Sequence, residues 1–256
     1  MKIFDVCAEI ESYAPLNLAE DFDNVGLIVG NSGEDVTSVV LTLDVDMEVA
    51  QEAKELGANL IVSHHPLIFE PVNQINNSSP IGRLLLYLIE NRIAVYSAHT
   101  NLDSAKGGLN DILAGIAGLE DCVPLTGENE ESGLGRIGKA QAGTTVEILA
   151  KRLKAVLGLP YIRFTGDGQR EVVRVALCTG SGGSLVKDAI KNSAQVYITG
   201  DMKYHGVREA VDSGLNIIEL GHYDSEITAT RLFEKILSPI VKTHITKVNT
   251  NIFNTI

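Results

Sequence analysis

Two adjacent histidines, His64 and His65, end an apolar run in the segment IVSHHPLIFEP at residues 61–71. Neighbouring residues of a strand point to opposite faces, so both rings serve one site only if the strand has ended or the site holds more than one centre. Imidazole is a common metal ligand. The pair therefore indicates a metal site, and diverging rings suit two close ions better than one. A single ion with one spare histidine is the alternative.

Three more of the six histidines also follow apolar, strand-like runs. They are His99, His205 and His222, with Asp103 and Glu226 a few residues further along the chain. Parallel α/β sheets bind their ligands beyond the carboxyl ends of strands, where all five of these histidines are expected. A lone histidine is more often structural, but five in such positions favour a metal site. His244 lies elsewhere and is interpreted as an ordinary surface or strand residue.

The nearby carboxylates extend this prediction. His222 and Glu226 are four residues apart at a helix start, so they project from one face. Glu226 could instead complement the helix dipole, and Asp103 could be a helix cap. Imidazole and carboxylate without thiolate suit Zn²⁺, Fe²⁺, Mn²⁺ or Ni²⁺ alike. A pair of such ions lowers the pKa of a water between them, and Glu226 is the natural bridging ligand.

The elements that must position these residues alternate between strand and helix in both halves of the chain. In the first half, strands are predicted at 39–45, 59–63 and 93–98, and helices at 47–57 and 81–92. In the second half, strands are predicted at 171–178, 194–200 and 215–221, and helices at 145–158, 184–192, 204–214 and 224–237. Apolar strands separated by helices indicate an α/β fold with mainly parallel sheets covered on both faces.

A Gly- and Glu-rich stretch at residues 125–143 interrupts this pattern. It predicts an N-terminal α/β domain at 1–126 and a C-terminal α/β domain at 127–256. Residues after 238 are rich in β-branched side chains and are expected to pair back onto a sheet. The segment after about residue 222 could in that way pack on the first domain.

Composition excludes several classes of function. The 256 residues carry a net charge of −12 and no Trp, which disfavours binding to nucleic acid. The three cysteines are far apart, which argues against disulfides or a thiolate zinc site. Neither a signal peptide nor an unbroken apolar run of about 18 residues is present, so we expect a cytoplasmic protein with no membrane span.

Five segments together resemble the Nif-three-like family, many of whose members are named GTP cyclohydrolase I type 2 homologues. They are EDFDNVGLIVG (20–30), IVSHHPLIF (61–69), SAHTNLDSAKGGLND (97–111), TGDMKYH (199–205) and IELGHYDSE (218–226). The resemblance implies two similar three-layer α/β/α domains with a di-metal site in the cleft between them. It also implies a toroidal homohexamer built as a trimer of dimers.

The resemblance assigns roles to individual residues. The implied ligands of two divalent ions per chain are His64, His65, Asp103, His222 and Glu226. His65 and Asp103 would bind one ion, His64 and His222 the other, and Glu226 both.

Two further histidines, His99 and His205, match motif positions near the metals that are not usually ligands. General acid/base catalysis or substrate contact is the hypothesis for both. The chain departs from the family pattern at Phe22, where many members carry Trp, and it has no room for the central domain inserted in longer members.

The implied activity is a di-metal hydrolase with a small-molecule substrate, such as a nucleotide. Opening the guanine ring of GTP with release of formate needs an activated water and an acid/base pair. The Gly-rich turn at 178–188 and Lys106 would suit a phosphorylated ligand, although the turn is equally typical of a tight β–α connection. The alternatives are a non-catalytic metal-binding scaffold or regulatory ring, and a di-metal phosphoesterase.

Overall fold

The structure is a computed structural model that describes residues 1–127 and 132–254. The chain divides into two compact units. Unit 1 combines Met1–Leu102 with Ala229–Asn254, and unit 2 contains Asp103–Thr228. The expected boundary near residue 126 lies within unit 2, because the strand that precedes it, Glu120–Pro124, pairs with the strand that follows it, Arg136–Lys139.

Unit 1 is built on a five-stranded sheet. Its strands are β1 (Gly26–Val29), β2 (Val39–Thr42), β3 (Leu60–Ser63), β4 (Ala94–Ser97) and β11 (Thr243–Ile245). Its helices are α1 (Ile3–Tyr13), α2 (Met47–Glu55), α3 (Pro80–Glu90) and α10 (Ala229–Leu237), and α4 (Thr100–Ser104) begins in this unit. The strand order is β1-β4-β3-β2-β11, and all neighbours are parallel except β1 and β4.

The central strands β2, β3 and β4 are buried at every position, as expected for a sheet covered on both faces. Val40, Ile61 and Val95 form one cluster with apolar residues of α2 and α3. Helix α10 contacts β2 and also packs against α1. As predicted, the chain after residue 238 returns to a sheet, where β11 pairs with β2.

Unit 2 is built on a six-stranded sheet. Its strands are β5 (Glu120–Pro124), β6 (Arg136–Lys139), β7 (Arg163–Phe164), β8 (Arg174–Cys178), β9 (Val196–Thr199) and β10 (Asn216–Glu219). Its helices are α5 (Leu109–Ala117), α6 (Val146–Leu157), α7 (Val186–Lys191), α8 (Tyr204–Asp212) and α9 (His222–Glu226). The order is β5-β6-β8-β9-β10-β7, with β8, β9 and β10 parallel and the outer strands antiparallel.

Strand β8 shows how this sheet is covered on both faces. Val175 and Leu177 join a cluster with apolar residues of α5 and α6, whereas Ala176 and Cys178 join one with residues of α7 and α8. The alternation follows from the two-residue period of a strand. The predicted α/β class is confirmed, and the antiparallel outer strands are an addition to the mainly parallel sheets expected from the sequence.

A buried arginine holds the start of unit 2 together. Arg136 is 2% exposed and forms a two-pronged ion pair with Asp111, with N–O distances of 2.6 and 2.9 Å. Its guanidinium also donates to the carbonyl oxygens of Ala105, Gly133 and Gly135. These bonds satisfy the donors of a charge that would otherwise be costly to bury.

The predicted helix at 224–237 is two helices, α9 and α10. The break falls at Ile227 and Thr228, two β-branched residues of modest helix propensity. It separates the predicted ligands His222 and Glu226, on α9, from the helix that packs in unit 1.

No helix within the described part of the chain has the length and apolar character needed to cross a membrane.

Candidate functional site

Three histidines of unit 1 lie together at the carboxyl ends of two adjacent parallel strands. His64 and His65 follow β3, and His99 follows β4 by one residue. The ring centroids are 5.3 Å apart for His64 and His65, 5.1 Å for His64 and His99, and 5.6 Å for His65 and His99. One nitrogen of each ring lies within 4.8 Å of the others, so the group could bind a metal ion.

Each of these rings is held through Nδ1 by an oxygen atom. The acceptors are the carbonyl of Ala98 for His64 at 2.9 Å, Asp44 for His65 at 2.7 Å and Asp23 for His99 at 2.9 Å. Because a carbonyl or carboxylate oxygen only accepts, Nδ1 carries the proton. In the neutral ring Nε2 then carries the lone pair, which is the form in which imidazole binds a metal or takes up a proton.

Asp23 is the most strongly held of these acceptors. Its carboxylate accepts from the ring of His99, from the backbone N–H of Thr100 at 3.0 Å and from the hydroxyl of Thr100. Burial by itself would raise the pKa of Asp23, but these hydrogen bonds and the proximity of His99 hold that pKa well below its usual value. Asp23 therefore remains ionised beside His99.

Unit 2 carries a second group with the same arrangement. Nδ1 of His222 lies 2.8 Å from Oδ2 of Asp201, which follows β9. Nε2 of His222 lies 3.1 Å from Oε2 of Glu226, one turn further along α9. Glu226 is 2% exposed. The predicted pair of His222 and Glu226 thus shares one helix face, with the carboxylate buried.

Two glycines create the space in which this pair lies. A Cβ at Gly180 would lie 2.0 Å from Oε1 of Glu226 and 3.4 Å from Nε2 of His222. A Cβ at Gly200 would lie 2.9 Å from Cα of His222. Gly180 also has a φ of +59°, which L side chains rarely adopt. Sequence reasoning overlooked this role, and the only signal for it was that Gly180 follows a predicted strand by two residues and Gly200 ends another.

The Gly-rich turn is a tight β–α connection. The N–H of Gly180 donates to the hydroxyl of Ser225 at 2.9 Å, and that of Gly182 to the hydroxyl of Thr199 at 3.1 Å. A short 3₁₀ turn, Gly182–Leu185, then leads into α7. These two N–H groups therefore donate within unit 2, and the anion site suggested by the turn at 178–188 stays a prediction.

Asp103 lies inside α4 and does not cap a helix. It is 6% exposed, and its Oδ1 accepts from the hydroxyl of Thr179 at 3.2 Å. The amide of Asn110 donates to its backbone carbonyl at 3.0 Å and accepts from the N–H of Thr179. The alternative interpretation of Asp103 as a cap is therefore wrong, and its carboxylate accepts a hydrogen bond from a neighbouring loop residue.

The other two histidines are placed differently. His205 is exposed in the first turn of α8, with its ring centroid 5.6 Å from that of Tyr204. His244 lies on β11 opposite Val40, in keeping with the interpretation of an ordinary strand residue. The division of the predicted ligands between two ions, and the acid/base roles of His99 and His205, stay predictions.

Comparison with known proteins gives the family. The family model described as Duf34/NIF3 (NGG1p interacting factor 3) matches residues 1–254. A Clostridium perfringens protein named GTP cyclohydrolase 1 type 2 homolog is 42% identical over 228 residues, which cover 88% of this chain and 87% of the relative. A Lactococcus lactis protein of the same name is 40% identical, over 87% of this chain and 86% of the relative.

Solved structures support the same relationship. A Bacillus cereus protein described as related to NIF3 superposes with a TM-score of 0.91 at 26% identity, covering 100% of this chain and 99% of the other. The family resemblance seen in the sequence is thus confirmed. This chain belongs to the DUF34/NIF3 family.

Proposed function

We propose that this chain is a metal-dependent hydrolase. Its ligands for divalent ions would be the five residues assigned from the sequence: His64, His65, Asp103, His222 and Glu226. The observation that carries the proposal is that the three proposed ligand histidines, in two separate units, each have Nδ1 held by an oxygen acceptor. Carbonyl or carboxylate oxygens that orient a ring in this way are typical of metal-binding histidines.

The donor set fits divalent ions of borderline softness. The proposed ligands provide imidazole nitrogens and carboxylate oxygens without thiolate, which suits Zn²⁺, Fe²⁺, Mn²⁺ or Ni²⁺. Glu226 and Asp103 are both buried, at 2% and 6% exposure, so their charges favour binding of a cation. The absence of a side chain at Gly180 also leaves room for the polar groups of Glu226 and His222 to lie side by side.

Divalent ions bound there would lower the pKa of a coordinated water and polarise the group under attack. The protein residues would hold the rings and move protons. His99 keeps its proton at Nδ1 on Asp23 and has Nε2 available to accept one from a water molecule. The ionised carboxylate of Asp23 would then stabilise the imidazolium, which makes His99 the stronger acid/base candidate, with His205 as the second.

The names of the relatives make GTP the first substrate to test. Both bacterial relatives carry the name GTP cyclohydrolase 1 type 2 homolog. Hydrolytic opening of the guanine imidazole ring breaks two C–N bonds, uses one water for each and releases C8 as formate. We therefore propose formate release from GTP as the activity of the metal-loaded protein.

The experiment compares Glu226→Gln with Glu219→Gln after loading with each candidate ion and dialysis. Glu219 lies in the same unit and pairs with Arg163 near the surface, so its variant should keep wild-type metal content. Glu226→Gln should lose metal, measured by plasma emission, and formate release should fall with it. Equal metal content in the two variants would count against Glu226 as a ligand.

His99→Ala separates an acid/base role from a ligand role. We expect it to retain metal while formate release falls by roughly 10²–10⁴-fold, the usual contribution of a general acid/base. Loss of metal from His99→Ala would identify His99 as a third histidine ligand with His64 and His65.

A substrate screen of the metal-loaded wild type separates the alternative functions. Release of phosphate from phosphoesters, without formate from GTP, would favour the phosphoesterase. No turnover of either substrate would favour the scaffold.

A further inference from the structure

A hollow in unit 1 lies directly beside His99. It is formed by Phe22, Asp23 and Asn24 on one side and by residues 68–71 on the other, and its volume is about 610 Å³. This volume lies within the range of pockets that bind small molecules. Asp23 links the hollow to the candidate site, because its carboxylate holds Nδ1 of His99.

Two phenyl rings line the hollow and face water. Phe22 is 64% exposed and Phe69 is 48% exposed. Their centroids are 6.3 Å apart with an angle of 63° between the planes, and Phe69 is 6.4 Å from the ring of His99. Adjacent exposed aromatic side chains are typical of a binding surface, because each ring offers a flat apolar face at little cost in conformational entropy.

A hydrogen bond joins the two sides of the hollow. The amide of Asn24 donates to the carbonyl oxygen of Ile68 at 2.6 Å. Asp23 in turn accepts from the N–H of Thr100. The segment that carries Phe22 is therefore tied to the segment that carries Phe69, and the hollow is preformed, which lowers the entropy cost of binding a rigid ligand.

The charge of the hollow restricts what it can bind. Among the described residues that line it, Glu70 and Asp23 are acidic and none is Lys or Arg. A second hollow of about 450 Å³ shares residues 68–71 and likewise has no basic residue among its described lining. Asp23 already accepts hydrogen bonds from His99 and Thr100, whereas Glu70 is an exposed residue. The surface therefore suits a ligand that donates N–H groups and presents no phosphate here.

We propose that this hollow binds a planar heterocycle with adjacent N–H donors on one edge. The ring would pack against Phe22 and Phe69, and Glu70 would accept the N–H groups. A guanine-type ring has this edge, because its N1–H and 2-amino group lie side by side and match the two oxygens of a carboxylate. The inference rests on the proposed function, since it gives the substrate class for the site that contains His99.

Because the sequence contains no Trp, ligand binding in the hollow can be followed by the fluorescence of a single introduced Trp. Phe22→Trp supplies a single indole in the hollow, and Phe4→Trp is its control, because Phe4 on α1 is also 64% exposed. The probe is guanosine. We expect saturable quenching of the Phe22→Trp fluorescence, since a stacked base quenches indole, and only linear collisional quenching in Phe4→Trp.

Two further changes in the Phe22→Trp background test the contacts. Phe69→Ala should weaken guanosine binding by roughly 5- to 100-fold, the range expected for loss of one aromatic stacking partner. Glu70→Gln should weaken it by on the order of tenfold and remove the preference for guanosine over inosine, which lacks the 2-amino group. Phe4→Ala in the same background should leave the binding of guanosine and of inosine unchanged.

The outcomes separate this inference from the proposed function. Saturable, Glu70-dependent quenching without formate release would support the ring site and count against GTP hydrolysis. Formate release by the wild type, with no saturable quenching of Phe22→Trp, would overturn the ring site alone. If guanosine has no effect and Phe22→Ala lowers the sedimenting mass, the face is an interface between copies of the chain, and the inference is also wrong.

Discussion

Substitution of Gly180 by alanine tests the space beside Glu226 most directly. The substitution adds a Cβ 2.0 Å from Oε1 and 3.0 Å from Cδ of Glu226, distances at which one group must move. Because Glu226 is buried, its carboxylate has little room to move without leaving Nε2 of His222, 3.1 Å away. We therefore expect Gly180→Ala to displace a proposed metal ligand while the sheet remains intact.

The expected loss of folding free energy in Gly180→Ala has two parts. Alanine at a φ of +59° costs about 1–2 kcal/mol of folding free energy, because Cβ approaches the following carbonyl oxygen. Forcing a methyl group into an occupied space adds about 1–3 kcal/mol. Gly158 provides the matched control, since it has a φ of +68° and no atom within 4 Å of an added Cβ. Gly158→Ala should show the backbone cost alone.

The assay combines thermal unfolding, followed by circular dichroism, with metal content by plasma emission after loading and dialysis. Each kcal/mol lost should lower the Tm by roughly 2–4 °C in a chain of this size. Gly180→Ala should unfold at a lower temperature than Gly158→Ala and should bind less metal, whereas Gly158→Ala should bind as much as the wild type. Equal metal content in the two folded variants would refute the reasoning.

Three further predictions share simple controls. In the wild type, the lowered pKa of Asp23 adds stability that is fully present above about pH 4, the pKa of this group in the unfolded chain, and is lost as the pH falls towards the folded pKa. Asp23→Asn should lack this stability, so the urea midpoints of the variant and the wild type should converge in acid. Asp212→Asn, on the exposed surface of α8, should leave the wild-type pH profile unchanged, and an unchanged profile for Asp23→Asn would contradict the lowered pKa of Asp23. Arg136→Met should cost about 3–5 kcal/mol in urea unfolding, against at most ~1 kcal/mol for exposed Arg231→Met, and equal costs would refute the role of burial. Asp201→Asn should weaken metal binding roughly 10- to 100-fold in a competition titration, whereas Asp35→Asn should not.

Several features could be predicted because they depend on neighbours in sequence. The apolar strands, the helices between them and the position of His64 and His65 at a strand end follow from local periodicity. The helical spacing of His222 and Glu226 likewise predicted that they share a face, and Nε2 and Oε2 lie 3.1 Å apart. Family motifs that run from residue 20 to residue 226 gave the family itself, which the match over residues 1–254 confirms.

Other features depend on residues far apart in sequence, and local patterns gave little sign of them. Asp23 holds His99 from 76 residues away, and Asp201 holds His222 from 21 residues away. Asp23 and Asp201 lie in the family segments at 20–30 and 199–205, but nothing in those segments shows which histidine each aspartate contacts. Only the folded chain brings an acceptor to each Nδ1, and that contact decides which nitrogen of the ring is available for chemistry.

The sequence by itself determined the α/β class, the family and which residue types gather at the strand ends, because hydrophobic periodicity and motif spacing are properties of contiguous segments. The tertiary structure alone decided the antiparallel outer strands, the pairing of β11 with β2 and the space that Gly180 leaves for Glu226. It also decided the pairing of Phe22 with Phe69 beside His99. These features are distances between atoms on different elements, and such distances are fixed only when the sheets and helices pack.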